Sequence, residues 1–169
     1  MRTLTALLTA MLFLPASAAP PTDAEVTIYS NGSLASAVLM PGEPKVNHAA
    51  FIGLLFDGDQ KIGFIQPNRF LTLRLPTGQH TFSASLSSKH PAKDSQLPLV
   101  LNAGEKYFIR VQEESRGVVF ASAQKGRLDL VTCQIAHQDA ANASPTDSKR
   151  IAPEMRDKII PTRSMPPCE

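Results

Sequence analysis

Several residue types are scarce or absent in this chain, and each scarcity excludes a class of protein to which the chain could belong. Two cysteines are too few for a multi-bridge disulfide scaffold or for a four-cysteine zinc site. The sequence has no tryptophan, 6% aromatic residues and a formal net charge of only +2. Without a basic run or a repeated aromatic pattern, we expect no nucleic-acid partner.

Long hydrophobic runs are also absent. The most apolar stretch, close to the N-terminus, has roughly 11 residues, whereas about 20 are needed to cross a bilayer. Arg2 precedes this run and Pro15-Ala16-Ser17-Ala18 follows it, which is typical of a cleaved signal peptide. We expect residues 1–18 to be removed near Ala18, which leaves no transmembrane segment in the mature chain. The protein is then exported, to the periplasm or to the extracellular space.

Residues 19–135 show the alternation of apolar and polar side chains that is typical of β-strands. Strands are predicted at 25–30, 51–56, 61–65, 70–75, 80–86, 97–101, 105–112, 118–121 and 128–135. Their short connections leave no room for crossovers and favour antiparallel pairing. The predicted fold is all-β, an antiparallel two-sheet β-sandwich of about eight or nine strands.

The composition changes after residue 135. Residues 138–148 consist mainly of Ala, Asn, Asp, Ser and Thr, which predicts a flexible connector. Residues 153–160 are predicted to form one or two helical turns, with Pro153 in the first turn. Pro161, Pro166 and Pro167 prevent a longer helix. We therefore treat residues 136–169 as a connector and Pro-rich tail outside the β domain.

Three turn patterns stand out within the β region. They are Phe56-Asp57-Gly58-Asp59-Gln60-Lys61-Ile62-Gly63, Leu75-Pro76-Thr77-Gly78-Gln79-His80-Thr81, and Leu101-Asn102-Ala103-Gly104-Glu105-Lys106-Tyr107-Phe108-Ile109-Arg110. Glycine suits turns that need a positive φ, and a glycine within a strand indicates a bulge or close packing. We assign structural roles, not catalytic ones, to these residues: Asp57, Gly58, Gly63, Pro76, Gly78, His80, Gly104 and Tyr107.

In this order and spacing the three patterns resemble a bacterial family called domain of unknown function 2846. That family pairs a D-G-x-x-x-G hairpin with a P-x-G-x-H-T turn and an A-G-x-x-Y-[FY]-x-R strand. A similar succession of hairpin and P-x-G turn occurs in PEGA-type β-domains of envelope proteins. The resemblance covers roughly residues 25–135. It implies a small exported β-domain in a bacterial envelope, and it implies no activity.

Cys133 lies four residues before His137, so a Cys–His catalytic pair is one interpretation of the C-terminal region. In an oxidising compartment a disulfide between Cys133 and Cys168 is the simpler one. Such a bridge would hold the Pro-rich tail against the sandwich. If the thiols remain free, pairing between chains is the next possibility.

The sequence gives little support for a metal site or for other catalytic residues. His48, His80, His90 and His137 share no metal-ligand spacing, so we expect no histidine-based metal site. Asp57 and Asp59 form an acidic pair, but a calcium site needs six to eight oxygen ligands, which favours a turn. No G-x-S-x-G nucleophile motif is present. We expect no cofactor and no catalysis, with an unrecognised hydrolase as the remote alternative.

The sequence therefore favours an exported, non-catalytic β-sandwich that acts as an accessory or interaction module of a bacterial cell envelope. Its partner would be another envelope protein, bound through a sheet face, an edge strand, or the loops at 42–47 and 87–95. The alternative is a secreted domain that binds a small molecule or glycan in a pocket between the sheets or under the tail.

Overall fold

The computed structural model of the chain describes residues 22–31, 53–85, 90, 91, 93, 95–114 and 125–168. The strands among them are β1 (Asp23–Ser30), β2 (Gly53–Asp57), β3 (Gln60–Ile65), β4 (Arg69–Pro76), β5 (Gly78–Ser85), β6 (Gln96–Leu101), β7 (Lys106–Glu114), β8 (Lys125–Val131) and β9 (Ser144–Pro145). A helix, α1, spans Cys133–Asp139, and 3₁₀ segments span Ser148–Arg150 and Pro153–Lys158.

Some predicted features lie outside the described residues. They are the signal peptide at 1–18, the strand at 118–121, the loop at 42–47, His48, and most of the loop at 87–95. Among the residues that are described, no helix has the length and apolar character needed to span a membrane.

The strands form two sheets, so the predicted all-β sandwich is confirmed. The hydrogen-bonded path β3-β2-β5-β8-β7-β1-β4-β9, with β6 paired to β5, divides at the single β5–β8 bridge into sheet one (β3-β2-β5-β6) and sheet two (β8-β7-β1-β4-β9). The two sheets are joined at one corner, where Ser85 of β5 pairs with Lys125 of β8. A Cβ atom at Gly126 would lie 2.7 Å from the Cβ of Ala84, so glycine permits this close approach of β8 to β5.

The central strand of sheet two departs from the expected antiparallel pattern. β1 is antiparallel to β4 but parallel to β7, with Val26 opposite Tyr107 and Ile28 opposite Ile109. The short strand β9 is also parallel to its neighbour β4. Short connections impose antiparallel pairing only on strands that are adjacent in sequence. β1 and β7 are separated by all of sheet one, so no tight turn constrains their direction.

The main core lies between the sheets. Leu71, Leu73 and Leu75 of β4 point into it, as their alternation predicts, and Phe82 and Ala84 of β5 face them from sheet one. The opposite face of β4 is not uniformly solvated. Thr72 is buried, and its hydroxyl lies 3.1 Å from that of Thr27 in β1. The outer face of sheet two must therefore be covered as well.

Helix α1 provides part of that cover. Ala136 and Ala140 pack with Tyr29, Phe70 and Phe108 on the outer face of sheet two and form a second small core. The predicted strand at 128–135 is too long, because β8 ends at Val131. Thr132 then caps the helix by accepting a hydrogen bond from the Ile135 N–H at 3.4 Å. The segment expected from its composition to be a connector thus begins as a packed helix.

The rest of the C-terminal segment closes the open side of the sandwich. The Ala152 N–H donates to the Ile62 carbonyl of β3 at 2.9 Å, and the Ile160 N–H donates to the Thr72 carbonyl of β4 at 2.9 Å. Between these contacts, the predicted helical turns form as the segment Pro153–Lys158, and Met155 enters the main core with 1% of its surface exposed. The tail thereby satisfies backbone groups at the edges of both sheets.

Gly63 allows this closure. It lies at a β-bulge, where the register between β2 and β3 shifts after Leu55. A Cβ atom at position 63 would lie 2.7 Å from the Arg150 carbonyl oxygen and 2.9 Å from the Ile151 Cα. Both neighbours are backbone atoms, so neither can move aside by a change of rotamer.

We predict that Gly63→Ala lowers the free energy of unfolding by about 1–3 kcal/mol, because the added methyl group forces the tail away from β3. Gly58→Asn is the matched control. Gly58 has φ +56°, which asparagine tolerates, and nothing lies within 4 Å of an added Cβ atom. We expect this control to change stability by about 0.5 kcal/mol or less. Urea denaturation measures both, and equal losses would contradict the close-approach argument.

Candidate functional site

The first two turn patterns meet through one contact between side chains. His80 Nδ1 lies 2.6 Å from Asp57 Oδ2, and His80 Nε2 lies 3.0 Å from the Pro76 carbonyl oxygen. The second oxygen of Asp57 accepts a hydrogen bond from the Thr81 N–H at 3.2 Å. Both oxygens of Asp57 are therefore used within the protein, as a turn role requires. Gly58 and Gly78 occupy the adjoining turns with φ of +56° and +131°.

The third turn has its own hydrogen-bond cluster. The Tyr107 hydroxyl lies 2.5 Å from Glu105 Oε2 and accepts a hydrogen bond from the Asn102 N–H at 3.0 Å. The bond to Tyr107, together with a bond that the Asn102 side-chain amide donates to Glu105 Oε2 at 3.0 Å, lowers the pKa of Glu105. Burial and the bond to Glu105 raise the pKa of Tyr107. Gly104, with φ +75°, completes the turn, so this motif also stabilises local geometry.

The outer face of sheet two carries a charged network that no sequence pattern predicted. Arg110 of β7 donates to Asp139 Oδ2 at 3.0 Å and to Asp129 Oδ2 at 3.3 Å. The buried Tyr29 donates its hydroxyl proton to the same Asp139 oxygen at 2.9 Å. Burial opposes the charge on Arg110, but its bonds to Asp139 and Asp129 outweigh this and raise its pKa. The network ties α1 to sheet two.

The predicted disulfide between Cys133 and Cys168 is confirmed, and it forms within the chain. The two Cα atoms are 5.6 Å apart, a normal separation for a disulfide. Cys133 is the first residue of α1, whereas Cys168 lies at the end of the Pro-rich tail. The bridge therefore holds the end of the tail beside the start of the helix.

An open cleft of about 600 Å³ lies against this disulfide. Its walls are the turn before β7, the end of β8 with the start of α1, and the end of the tail (residues 104–106, 108, 131–134, 167 and 168). The Lys106 ammonium donates to the Pro167 carbonyl at 3.4 Å across the cleft. Its volume is within the range of small-molecule sites.

His137 lies beside the same disulfide. A ring nitrogen of His137 and the two sulfur atoms all lie within 4.8 Å of one another. His137 Nε2 also lies 2.7 Å from the Pro166 carbonyl oxygen. The spacing of Cys133 and His137 indicated this pair, but the approach of Cys168 to His137 depends on how the tail folds back.

Strand β6 forms a second candidate surface. Within the described residues it pairs with β5 alone, and its Val100 side chain is 55% exposed. A depression of about 230 Å³ adjoins Val100, between residues 79–81 of β5 and 98–100 of β6. His80 lies in its wall.

We predict that reduction of the disulfide lowers the free energy of unfolding by about 3–4 kcal/mol, because the bridge joins residues 35 apart in sequence. Denaturation with and without a phosphine reductant measures this loss. The double variant Cys133→Ser/Cys168→Ser should have the stability of the reduced protein, and the reductant should not change that stability. An unchanged midpoint after complete reduction would show that packing alone holds the tail.

We also predict that Tyr29 ionises well above pH 10. Burial raises its pKa, and the hydrogen bond to Asp139 raises it further. Because unfolded Tyr29 loses its proton near pH 10, the free energy of unfolding should fall as the pH rises beyond that value. The chain has two tyrosines, so ultraviolet titration of Tyr107→Phe follows Tyr29 alone. Tyr29→Phe supplies the matched titration of Tyr107. Ionisation of Tyr29 near pH 10 in the folded protein would contradict the prediction.

Comparison with known proteins does not identify a family for this chain. No protein-family model, no curated protein and no solved structure matches the chain. The likeness of the three turn patterns to the domain of unknown function 2846 therefore stays a prediction.

Proposed function

We propose that this protein is an exported, non-catalytic β-sandwich that serves as an interaction module of a bacterial cell envelope. An oxidising compartment favours the Cys133–Cys168 disulfide, and the first 18 residues have the pattern of a signal peptide. These two features support export independently of each other.

The interaction surface we propose is the edge formed by β6. An edge strand presents backbone donors and acceptors that a partner strand can pair with. Val100 adds an exposed apolar side chain at this edge, and the depression beside it offers room for a partner side chain. The exposed Val100 on an edge strand is the observation on which this proposal depends.

The engagement of the charged side chains supports a non-catalytic role. Asp57 and His80 hold two turns together, Glu105 holds Tyr107, and Arg110 holds α1 against sheet two. Each of these contacts stabilises the backbone around it. A group with a catalytic role would instead be aimed at a position that substrate can reach.

The cleft at the disulfide supports a second candidate function, the binding of a small molecule or glycan. Its volume of about 600 Å³ is sufficient for a ligand of that size. Backbone groups of residues 104–106 and the Thr132 hydroxyl would supply polar contacts there.

Site-specific photo-crosslinking in the native envelope tests the edge proposal. We expect a photoreactive residue at position 100 to form one reproducible adduct. The same residue at position 127 is the control, because the Arg127 side chain is 62% exposed and lies beside Asp129 on the outer face of sheet two. Val100→Asp should weaken the binding of the cross-linked partner to the purified protein, since a buried, unpaired carboxylate is costly in an apolar interface.

Equal labelling from positions 100 and 127, or recovery of the bare chain from both, would contradict the β6 interface. Thermal-shift measurements with glycans and small amphiphiles would then test the cleft. Stabilisation that is lost in a bulky Gln134→Trp variant, whose exposed side chain lines the cleft, but kept in Val100→Asp, would identify the protein as a ligand-binding domain.

A further inference from the structure

The cluster at the end of the tail contains three potential metal ligands. Cys133 and His137 are one helical turn apart on α1, so their side chains share a face of the helix. Cys168 comes from the other end of the segment and completes the group. The two sulfur atoms and a His137 ring nitrogen lie within 4.8 Å of one another.

The hydrogen bond of His137 supports a ligand role for this ring. The Pro166 carbonyl oxygen is purely an acceptor, so the Nε2 atom 2.7 Å from it carries a proton and donates it. In the neutral ring the lone pair is then on Nδ1. Histidines that bind metals usually donate their other ring N–H to a carbonyl or carboxylate, which fixes the ring orientation. Here the carbonyl belongs to the segment that also supplies Cys168.

We propose that reduction of the Cys133–Cys168 disulfide converts this cluster into a binding site for a thiolate-seeking d¹⁰ cation, Zn²⁺ or Cu⁺. Two thiolates and one imidazole form a soft ligand set that suits these ions and not Mg²⁺ or Ca²⁺. Three protein ligands leave a fourth tetrahedral position open, as in catalytic zinc sites. The cleft of about 600 Å³ borders both cysteines and leaves space at this position for water or a small ligand.

The disulfide and the metal site are alternative states of the same two sulfur atoms. A dithiol reductant passes two electrons to the disulfide, which yields two cysteine thiols and the oxidised form of the reductant. Binding of a cation then displaces two protons from the thiols. Around zinc the sulfur atoms would lie about 3.8 Å apart, given Zn–S distances near 2.3 Å. Rotation of the Cys168 side chain would provide this separation, because Cys168 is exposed.

The test uses the purified protein in its oxidised and reduced states under anaerobic conditions. After chelator treatment, the reduced protein is titrated with Co²⁺ and then with Zn²⁺ against a chromophoric competitor. Cu⁺ is titrated separately. We expect one ion per chain, a thiolate-to-cobalt absorption band, and protection of both thiols from alkylation. The oxidised protein should show none of these.

Variants separate a site from adventitious binding to thiols. His137→Gln should weaken Zn²⁺ binding by at least about 10–100-fold, the loss typical of removing even an outer-shell partner. Gln138→Ala, the next position on the helix, is the matched control and should bind normally. Thermal unfolding of oxidised His137→Gln verifies that this variant folds, so weak binding cannot be attributed to a damaged fold.

Three results would overturn the proposal. They are a failure of the reduced protein to bind either ion, unchanged Zn²⁺ affinity in His137→Gln, and a stoichiometry of one ion for two chains. Tight binding of Cu⁺ together with weak Zn²⁺ binding would support the site and assign it to copper. The reverse preference would assign it to zinc.

Discussion

The rest of this structure depends on one constraint, which is that the two sheets cannot satisfy all of their own surfaces. The edges of β3 and β4 need hydrogen-bond partners, and the apolar outer face of sheet two needs cover. Water cannot satisfy buried N–H and C=O groups, and an exposed sheet edge invites pairing with another chain. The segment after β8 resolves both problems. Its helix covers Tyr29 and Phe108, and the N–H groups of Ala152 and Ile160 donate to the carbonyls of Ile62 and Thr72. The sandwich and its tail therefore pack together as one domain.

The disulfide adds a covalent restraint at the place where this segment begins and ends. It joins the first residue of α1 to Cys168 and so limits how far the tail can move from sheet two. The same fold-back brings His137 beside the sulfur atoms and creates the adjoining cleft. The group of His137 with the two cysteines, and the cleft beside it, thus result from closing the sandwich and not from the β-sheet motifs.

Much of the β architecture could be predicted from local sequence. Alternating side chains place Leu71, Leu73 and Leu75 in the core, and the turns at Asp57-Gly58 and Pro76-Thr77-Gly78 end strands where expected. Alternation and turn chemistry act over a few residues, so they are visible in the sequence itself. Strand direction is different. The parallel pairing of β1 with β7 joins segments far apart in sequence, which no local pattern encodes.

The sequence alone determined most of the strands and the turns between them, and its two cysteines favoured the Cys133–Cys168 bridge that the structure places within the chain. Only the tertiary structure decided the helix at 133–139, because a seven-residue helix has too little intrinsic stability without packing of Ala136 and Ala140. It also decided the contact of Arg110 with Asp139 and the approach of His137 to Cys168. These contacts depend on long-range folding of the tail, which leaves no periodic signal in the sequence.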